Sequence, residues 1–386
     1  MNSQGKTKNS GRAKVFVGLS GGVDSSVSAA LLKQAGYDVT GVFIRVWEPD
    51  WMECTSKQDR LDAMRVAAVL DIPFVTLDLE KEYKRDVVDY MIAEYKAGRT
   101  PNPDVMCNKS VKFGAFYDWA MKNGADFVAT GHYAKIVKST ESKVESQEAK
   151  GSGLGTRDFR LNSNYCLLAG YDSNKDQSYF LWNIKREQLP HILFPVGDIE
   201  KPEVRKLAAR FKLPTAEKKD SQGLCFIGKI DIKEFLSHYI DPKPGVVLNE
   251  KGAAIGRHDG AFFLTIGERH GFTIDAKTPH DDRYFVIAKD IEKNTVTVSH
   301  KDPTGLLPSA MTRCHLVQTN WLAQPEIGKT YAGRARYRQS LQELVFTMIK
   351  NDTAEITFKN PQNSLTPGQS LVVYDGEVCF GGGVIQ

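Results

Sequence analysis

The chain of 386 residues lacks any segment that resembles a membrane span or an export signal. No apolar run approaches the roughly 18 residues that a transmembrane helix needs. Residues 1–12 are polar and basic, without the apolar core of a secretory signal, and we interpret them as a loose tail. We therefore expect no membrane partner and a cytoplasmic location, with the mitochondrial matrix as the alternative.

Closely spaced cysteines are also missing. The six cysteines are so scattered that the two nearest, Cys54 and Cys107, are 53 residues apart. This spacing excludes a CxxC zinc knuckle, and a disulfide scaffold is not expected in a large chain without an export signal. Most of the cysteines should be ordinary buried residues, and any reactive one needs its own argument.

Charge of either sign is not in large excess. The formal net charge is +4, which is compatible with a polyanionic partner but does not by itself indicate one. The hydrophobic fraction of 41% is sufficient for packed cores and excludes a disordered chain. Since domains usually hold about 100–200 residues, we expect two or three domains.

The first part of the chain alternates short apolar runs with segments of helical spacing. Strands are predicted at residues 14–19, 39–46, 74–77 and 126–130, and helices at 25–35, 56–70, 83–96, 112–121 and 203–211. Residues 98–106, rich in Pro and Asn, are predicted to form a loop. Strands separated by helices indicate a parallel sheet with helices on both faces, which is a doubly wound α/β domain.

The chain changes character near Pro214, where Gly, Pro and short alternating runs become frequent. These runs predict an all-β region, with strands at 262–266, 284–288, 295–299 and 355–358. We place boundaries near residues 216 and 288, which gives domains 13–216, 217–288 and 289–386. The polar, Ser/Gly/Lys-rich residues 138–160 show no periodicity and are predicted to be a surface insertion.

The strongest local signal is the sequence Ser20-Gly21-Gly22-Val23-Asp24-Ser25 after the first predicted strand. Adjacent glycines allow a sharp turn, and the exposed N–H groups at the start of the next helix attract phosphate. This loop does not contain Gly-Lys-[Ser/Thr], so it is not a Walker loop. Asp24 is best suited to holding Mg²⁺, and the alternative is a tight turn with a Ser/Asp N-cap. The loop resembles the PP-loop of ATP pyrophosphatases, which split ATP into AMP and pyrophosphate.

Two cysteines occur in polar segments. Cys107 is predicted at the end of the Pro-rich loop, just before a helix, where the helix N-terminus and Lys109 favour the thiolate. Cys225 lies in a second Gly-flanked loop, although Leu224 and Phe226 could bury it. Cys54 is a reserve candidate, and the ordinary alternative for each is a buried structural cysteine.

The segment Tyr331–Gln339 carries Arg334, Arg336 and Arg338 at every second position. A strand would place all three on one face, where they suit a phosphate backbone. An ordinary solvated strand face is an equally good interpretation of this pattern. His132 after a predicted strand is likewise ambiguous, and a core or capping histidine is the commoner case.

Eight segments together resemble the tRNA-specific 2-thiouridylases, and the resemblance runs from about Lys14 to Gln386. They are GLSGGVDS (18–25), GRTPNPD (98–104), CNK (107–109), GHY (131–133), DSNKDQS (172–178), GLCFIG (223–228), RYRQ (336–339) and TPGQ (366–369). The resemblance implies an N-terminal PP-loop ATPase domain, a small central linking domain and a C-terminal β-barrel. Ile44 replaces a more usual Met, and the insertion at 138–160 is longer than expected.

The resemblance also assigns roles to residues. It implies that Cys107 is the nucleophile, that Cys225 carries a persulfide and that the two form a transient disulfide. Asp104 is a candidate acid or base. Nucleotide-binding positions are Gly18, Leu19, Ser20, Gly21, Gly22, Val23, Asp24, Ser25, Ile44 and Gly131. Positions that contact tRNA are Asn102, Pro103, Asp104, His132, Lys175, Asp176, Gln177, Arg336, Tyr337 and Gln369.

The implied activity uses ATP and Mg²⁺ to adenylate O2 of the wobble uridine, which sulfur then replaces. The implied partners are tRNA, with the Lys, Glu and Gln tRNAs as the expected set, and a sulfur donor such as a cysteine desulfurase or a carrier protein. Two alternatives stay open at this point. One is a PP-loop ligase acting on a small molecule, and the other is a tRNA-binding protein that has lost catalysis.

Overall fold

The structure is a computed structural model that describes residues 11–51, 56–139, 165–220, 231–276, 282–302, 305–363 and 365–386. Cys54, Cys225, residues 1–10 of the predicted tail and residues 140–160 of the predicted insertion lie outside these ranges. Within the described ranges, no helix is both long enough and apolar enough to cross a lipid bilayer.

A parallel sheet forms the centre of the N-terminal domain. The described strands before residue 200 are β1 Lys14–Gly18, β2 Asp38–Arg45, β3 Phe74–Asp78, β4 Phe127–Ala129, β5 Ala134–Lys138, β6 Tyr165–Ala169 and β7 Ile192–Leu193. Five of them pair in the order β3-β2-β1-β4-β7, all parallel. The apolar residues Val15 and Val17 of the central strand β1 are buried in the core beside this sheet, as expected for a strand of a covered parallel sheet.

Helices cover both faces of this sheet. They are α1 Val23–Gln34, α2 Ser56–Val69, α3 with the consecutive segments Glu80–Tyr83, Lys84–Asp89 and Tyr90–Lys96, α4 with Pro103–Met106, Cys107–Phe116 and Tyr117–Lys122, and α5 Lys201–Arg210. Helices α1, α2 and α5 contribute Val27, Val66 and Val204 to one core. Helices α3 and α4 contribute Met91 and Val111 to the other. The predicted doubly wound domain is therefore confirmed.

The predicted loop at 98–106 is wrong in its second half, because α4 already begins at Pro103. Asn102 is the N-cap, and its side chain accepts a hydrogen bond from the Val105 amide at 3.3 Å. Pro103 occupies the first helical position, where a missing N–H does no harm. The Asn-Pro pair is therefore a helix start, and Cys107 lies inside the helix.

A second sheet forms the central domain. Its elements are α6 Ile232–Ser237, β8 Gly245–Leu248, β9 Ala254–His258, β10 Phe272–Ile274, β11 Phe285–Asp290 and β12 Thr295–Ser299, and its strand order is β10-β9-β8-β12-β11. The boundary predicted near residue 288 falls inside β11, which pairs with β12 along its length. We therefore propose that the central domain extends through β12.

The predicted strand at 262–266 is also wrong, since the chain makes a short 3-10 turn at Ala261–Phe263. The apolar side chains of this segment do not alternate across one sheet. Phe262 packs in the core of helices α3 and α4, whereas Leu264 packs in the core of the central sheet. The segment thus connects two domains. Its hydrophobic pattern is the same as that of a strand, so the sequence alone could not distinguish the two structures.

The C-terminal domain is a closed barrel, as predicted. Its strands are β13 Met311–Trp321, β14 Thr330–Arg334, β15 Gln342–Lys350, β16 Thr353–Gln362, β17 Ser370–Asp375 and β18 Val378–Ile385. They pair in the order β13-β16-β15-β14-β17-β18, and β13 also pairs with β18 to close the ring. The hairpin of β5 and β6 continues this sheet through the pairing of Leu168 with Val378. The N-terminal and C-terminal domains therefore share a sheet.

Candidate functional site

The loop between β1 and α1 has the geometry of an anion site. Gly22 is the N-cap of α1 and, being glycine, has no side chain with which to cap the N–H groups of the first turn. Gly21 has a positive φ of 75°, and a Cβ added there would lie 2.3 Å from the carbonyl oxygen of Asp59. Only glycine fits this position. The start of α1 therefore presents backbone N–H groups at the carboxyl end of the central strand, which suits phosphate.

The serines of the loop fix its shape from within. Ser25 Oγ accepts a hydrogen bond from the Ser20 amide at 3.2 Å and donates to the Gly22 carbonyl at 3.2 Å. Ser26 Oγ donates to the same carbonyl at 2.7 Å. These hydroxyls make hydrogen bonds within the turn and so hold its shape. The donors best placed to face a ligand are therefore the backbone N–H groups at the start of α1.

The other predicted nucleotide positions surround this loop. A Cβ on Gly131, just after β4, would lie 2.6 Å from the Ser25 nitrogen, so Gly131 allows the β4 end to contact the start of α1. Ile44 lies near the carboxyl end of β2, next to β1. The side chains of Leu19 and Val23 are buried in the core, so only their backbone can face a nucleotide. Their role in binding a nucleotide stays a prediction.

Asp24 does not fit the predicted magnesium role. Its carboxylate accepts hydrogen bonds from Lys201 Nζ at 2.7 and 2.8 Å and from the Tyr133 hydroxyl at 2.8 Å. Among the described residues there is no group of three or more His, Cys, Asp or Glu side chains arranged to hold a metal. We therefore derive no step through a protein-bound metal at Asp24.

Lys201 connects Asp24 to a second carboxylate, that of Asp220. Lys201 Nζ lies 2.9 Å from Asp220 Oδ1, and Asp220 also pairs with Lys175 and Arg205, each at 2.7 Å. Partial burial opposes ionisation of Asp220, but the hydrogen bonds from Lys175 and Lys201 outweigh it and lower its pKa to about 2. Lys175, predicted to contact tRNA, therefore stabilises a permanently ionised Asp220.

Cys107 is wholly buried in the core between the sheet and helices α3 and α4, with Val111 and Phe116. Cys107 and Lys109 are two positions apart in a helix and so do not face each other. The predicted loop position is therefore wrong, and the predicted effect of Lys109 on the thiol stays a prediction. Cys166, Cys314 and Cys379 are buried as expected, and burial raises the pKa of Cys314 and of Cys379 to about 12.

The segment that precedes Cys107 is fixed at a junction of all three domains. The Thr100 amide donates to the Pro367 carbonyl at 2.8 Å, and Gln369 Nε2 donates to the Thr100 carbonyl at 3.1 Å. The Thr100 hydroxyl lies 3.2 Å from that of Thr265 in the central domain. Asn102, Pro103 and Asp104 follow directly, so the predicted base-contacting segment starts α4 beside Gln369.

Arg336 and Tyr337 lie at the same junction. Arg336 Nη2 donates to the carbonyl of Ile266 in the central domain at 2.9 Å. The Tyr337 ring packs on Phe180 with a centroid separation of 4.6 Å. The Tyr179 hydroxyl lies 2.9 Å from the Ser370 carbonyl oxygen and 3.1 Å from that of Ala335, so its one proton can be donated to either. The structure thus brings together Asn102, Arg336, Tyr337 and Gln369 from three distant parts of the sequence.

The predicted arginine face does not exist, because β14 ends at Arg334. The chain then turns, with the Ala335 amide donating to Gln339 Oε1 at 3.0 Å and Arg338 adopting a positive φ of 64°. The side chain of Arg334 is only 12% exposed and pairs with Asp176 at 2.5 Å. Arg334 therefore stabilises a buried carboxylate and does not line up with Arg336 and Arg338.

Asp176 and His132, both predicted to contact tRNA, are buried. Asp176 accepts hydrogen bonds from the Gly170 and Ser178 amides, each at 3.0 Å. Burial, with Lys112 close by, holds the pKa of His132 well below its usual range. A neutral, enclosed histidine offers no charge to a phosphate, so contact with tRNA at these two positions stays a prediction.

We expect Arg334→Met to destabilise the protein strongly. Removing one partner of a buried ion pair leaves the other charge uncompensated, which costs about 3–5 kcal/mol. Chemical denaturation measures the change in the free energy of unfolding. The matched control is Arg257→Met, which breaks an exposed pair with Asp275 and should cost about 1 kcal/mol or less. Equal effects in the two variants would contradict a structural role for the Arg334–Asp176 pair.

The fold and the site together define a PP-loop type nucleotide-binding α/β domain joined to two β domains. A family model described as tRNA methyl transferase HUP domain matches residues 13–229. One described as tRNA methyl transferase PRC-barrel domain matches 233–300, and one described as Aminomethyltransferase beta-barrel domain matches 311–385.

Full-length relatives give a narrower assignment. The chain is 43% identical to the tRNA-specific 2-thiouridylase MnmA of Nitrosomonas europaea, over 97% of this chain and 98% of that one. It is 43% identical to the protein of the same name from Streptococcus thermophilus, over 97% and 95% of the two chains. The corresponding protein of Lysinibacillus sphaericus is 42% identical over 99% and 96%. The chain therefore belongs to the family of tRNA-specific 2-thiouridylases.

Proposed function

We propose that the protein catalyses ATP-dependent 2-thiolation of the wobble uridine of tRNA. The observation that carries the proposal is the course of helix α4. It starts at the three-domain junction with Asn102 and Cys107, and its Phe116 reaches Gly18 at the base of the phosphate loop. Cys107 and Phe116 are the first and last residues of one continuous helical segment, so the same segment connects the junction to the phosphate loop. A nucleotide held at the loop and an extruded base held at the junction would then lie against the same helix.

The first proposed step adenylates the base. O2 of the uridine attacks the α-phosphorus of ATP, and the bond to pyrophosphate breaks. The oxygen then departs as part of AMP, which is a far better leaving group than a carbonyl oxygen. The chain contributes the uncapped N-terminus of α1 and the backbone of Gly21 and Gly22, which bind and orient the phosphates.

The second proposed step transfers sulfur. Cys225 carries a persulfide received from a cysteine desulfurase or a sulfur carrier, and the thiolate of Cys107 attacks its inner sulfur. A Cys107–Cys225 disulfide forms, and the released sulfide attacks C2 of the base as AMP leaves. A thiol reductant then restores both cysteines. Asp104, one turn before Cys107, is the proposed acid or base.

The proposed tRNA contacts lie at the junction. A wobble base must leave the anticodon stack to reach a reactive group, and unstacked bases commonly pack on aromatic rings and arginine planes. The Tyr337 ring on Phe180 supplies an aromatic ring at this junction, and the Arg336 guanidinium supplies a cation for a phosphate of the same tRNA. The expected substrates are the tRNAs for Lys, Glu and Gln.

Pyrophosphate release, measured with and without unmodified tRNA, tests the proposal against its two alternatives. We expect release that depends on tRNA and is matched by formation of AMP. Release that depends on a small molecule and not on tRNA would indicate a ligase. Tight tRNA binding without any pyrophosphate release would indicate a binding protein that has lost catalysis.

Arg336→Ala should weaken tRNA binding and lower the dependence of log affinity on log salt by about one unit, as the loss of one phosphate contact does. Binding measured over a range of salt concentrations provides both quantities. The control is Arg313→Ala, since Arg313 is exposed on β13, away from the junction. An Arg336→Ala variant with unchanged affinity and unchanged slope would show that this side chain does not contact a phosphate.

A further inference from the structure

The phosphate loop contains a carboxylate but no cation of its own. Asp24 lies in the first turn of α1, where the N–H groups point toward any bound phosphate. A polyphosphate placed there would be attracted by the helix N-terminus and repelled by Asp24. Some positive charge has to offset this carboxylate before the loop can accept a nucleoside triphosphate.

Lys201 supplies that charge from a distant part of the chain. It stands at the first position of helix α5, and its side chain is only 9% exposed. Both oxygens of Asp24 lie within 2.8 Å of Lys201 Nζ, whereas its contact with Asp220 is made to a carboxylate that two other cations already hold. Asp24 has no other cationic partner among the described residues. Its remaining side-chain partner is the neutral hydroxyl of Tyr133.

We propose that Lys201 is a positioning residue of the nucleotide site, which neutralises Asp24 and holds it away from the phosphates so that the loop can bind a nucleoside polyphosphate. The inference rests on the proposed use of ATP and adds a residue to that site. Since Asp220 keeps Lys175 and Arg205, removal of the Lys201 charge leaves Asp24 as the carboxylate without a cation.

The test is equilibrium binding of adenosine, AMP and the non-hydrolysable analogue α,β-methylene-ATP to the full chain. Lys201→Met should weaken binding of the triphosphate analogue by at least about tenfold, because a partly exposed carboxylate without its cationic partner then faces the phosphates. The loss should be smaller for AMP and absent for adenosine. Lys201→Arg should restore most of the affinity.

A double variant separates neutralisation from direct contact with phosphate. Asp24→Asn combined with Lys201→Met removes both charges, so we expect it to bind the triphosphate analogue nearly as well as the unaltered protein. The matched control is Lys206→Met on the same helix, since the Lys206 side chain is 75% exposed and pairs with Glu203. This control should leave all three affinities unchanged.

Two results would overturn the inference. One is unaltered affinity for the triphosphate analogue in Lys201→Met, and the other is a double variant that binds as weakly as Lys201→Met alone. If Lys201→Met does not fold, the double variant and Lys201→Arg decide the question in the same way. An unaltered protein that fails to bind the analogue would instead count against the proposed function.

Discussion

Replacing Cys107 by serine is expected to abolish 2-thiouridine formation while leaving tRNA-stimulated formation of AMP intact. Adenylation precedes sulfur transfer in the proposed sequence and needs no thiol. Serine keeps the size of the side chain but cannot form or break an S–S bond. Cys225→Ser should have the same effect, because the persulfide has no other proposed carrier. Mass spectrometry of tRNA nucleosides after a single-turnover reaction with a persulfide donor measures the product.

The buried position of Cys107 adds a requirement to this prediction. A disulfide forms only when the two Cα atoms come within about 7 Å of each other. Cys107 has no exposed surface in the structure. The start of α4 must therefore move and expose the Cys107 sulfur before it can react with the persulfide on Cys225. We therefore expect Cys107 to react with a thiol reagent faster when tRNA and ATP are both present.

Cys166→Ser is the matched control for the cysteine variants. Cys166 is also buried, so serine there introduces a comparable hydroxyl into a core without touching the proposed chemistry. We expect normal thiolation with a modest loss of thermal stability. Normal 2-thiouridine from Cys107→Ser or Cys225→Ser would contradict the two-cysteine mechanism. Loss of product in Cys54→Ser would transfer the role to that residue.

Gly21→Ala is expected to weaken ATP binding by at least about 100-fold. An L-residue at a positive φ costs about 1–2 kcal/mol, and here the added Cβ would also lie 2.3 Å from the Asp59 carbonyl oxygen. Backbone cannot move aside as a flexible side chain does, so the loop or the start of α2 must shift. A shift of this kind removes the N–H groups from the positions that bind phosphate. Calorimetry of ATP binding measures the loss.

Gly36→Ala separates the two costs. Gly36 follows α1 with a similar φ of 89°, but nothing lies within 4 Å of its added Cβ. This variant should lose a comparable amount of stability from the strained backbone and should keep its affinity for ATP. If Gly21→Ala bound ATP as tightly as Gly36→Ala, the close contact with Asp59 would have no part in shaping the loop.

The sequence predicted the features that depend on neighbouring residues. The strand before Ser20, the glycine turn and the helix after it form one continuous pattern, and β1, α1 and the phosphate loop lie where it indicates. Alternation of strands and helices likewise predicted the parallel sheet with two covered faces. A wrong reading of Asn102-Pro103 as a loop shows that even a local signal fails when a capping residue is overlooked.

Contacts between distant residues could not be predicted in this way. Lys201 contacts Asp24 only because α5 packs beside α1. The hydrophobic periodicity of each segment predicts a helix but does not predict which helix it contacts. The alternation of Arg334, Arg336 and Arg338 is the same whether a strand continues or turns, and the ion pair with Asp176 decides where Arg334 points. The shared sheet of β6 and β18 is equally a tertiary feature.

The central claim is tested most directly by nucleoside mass spectrometry of an unmodified substrate tRNA after incubation with the purified protein, ATP and a persulfide donor. The account predicts 2-thiouridine at the wobble position, with one AMP and one pyrophosphate formed for each sulfur incorporated. ATP consumed without any sulfur in the tRNA, or sulfur incorporated at the wobble position without ATP, would contradict it.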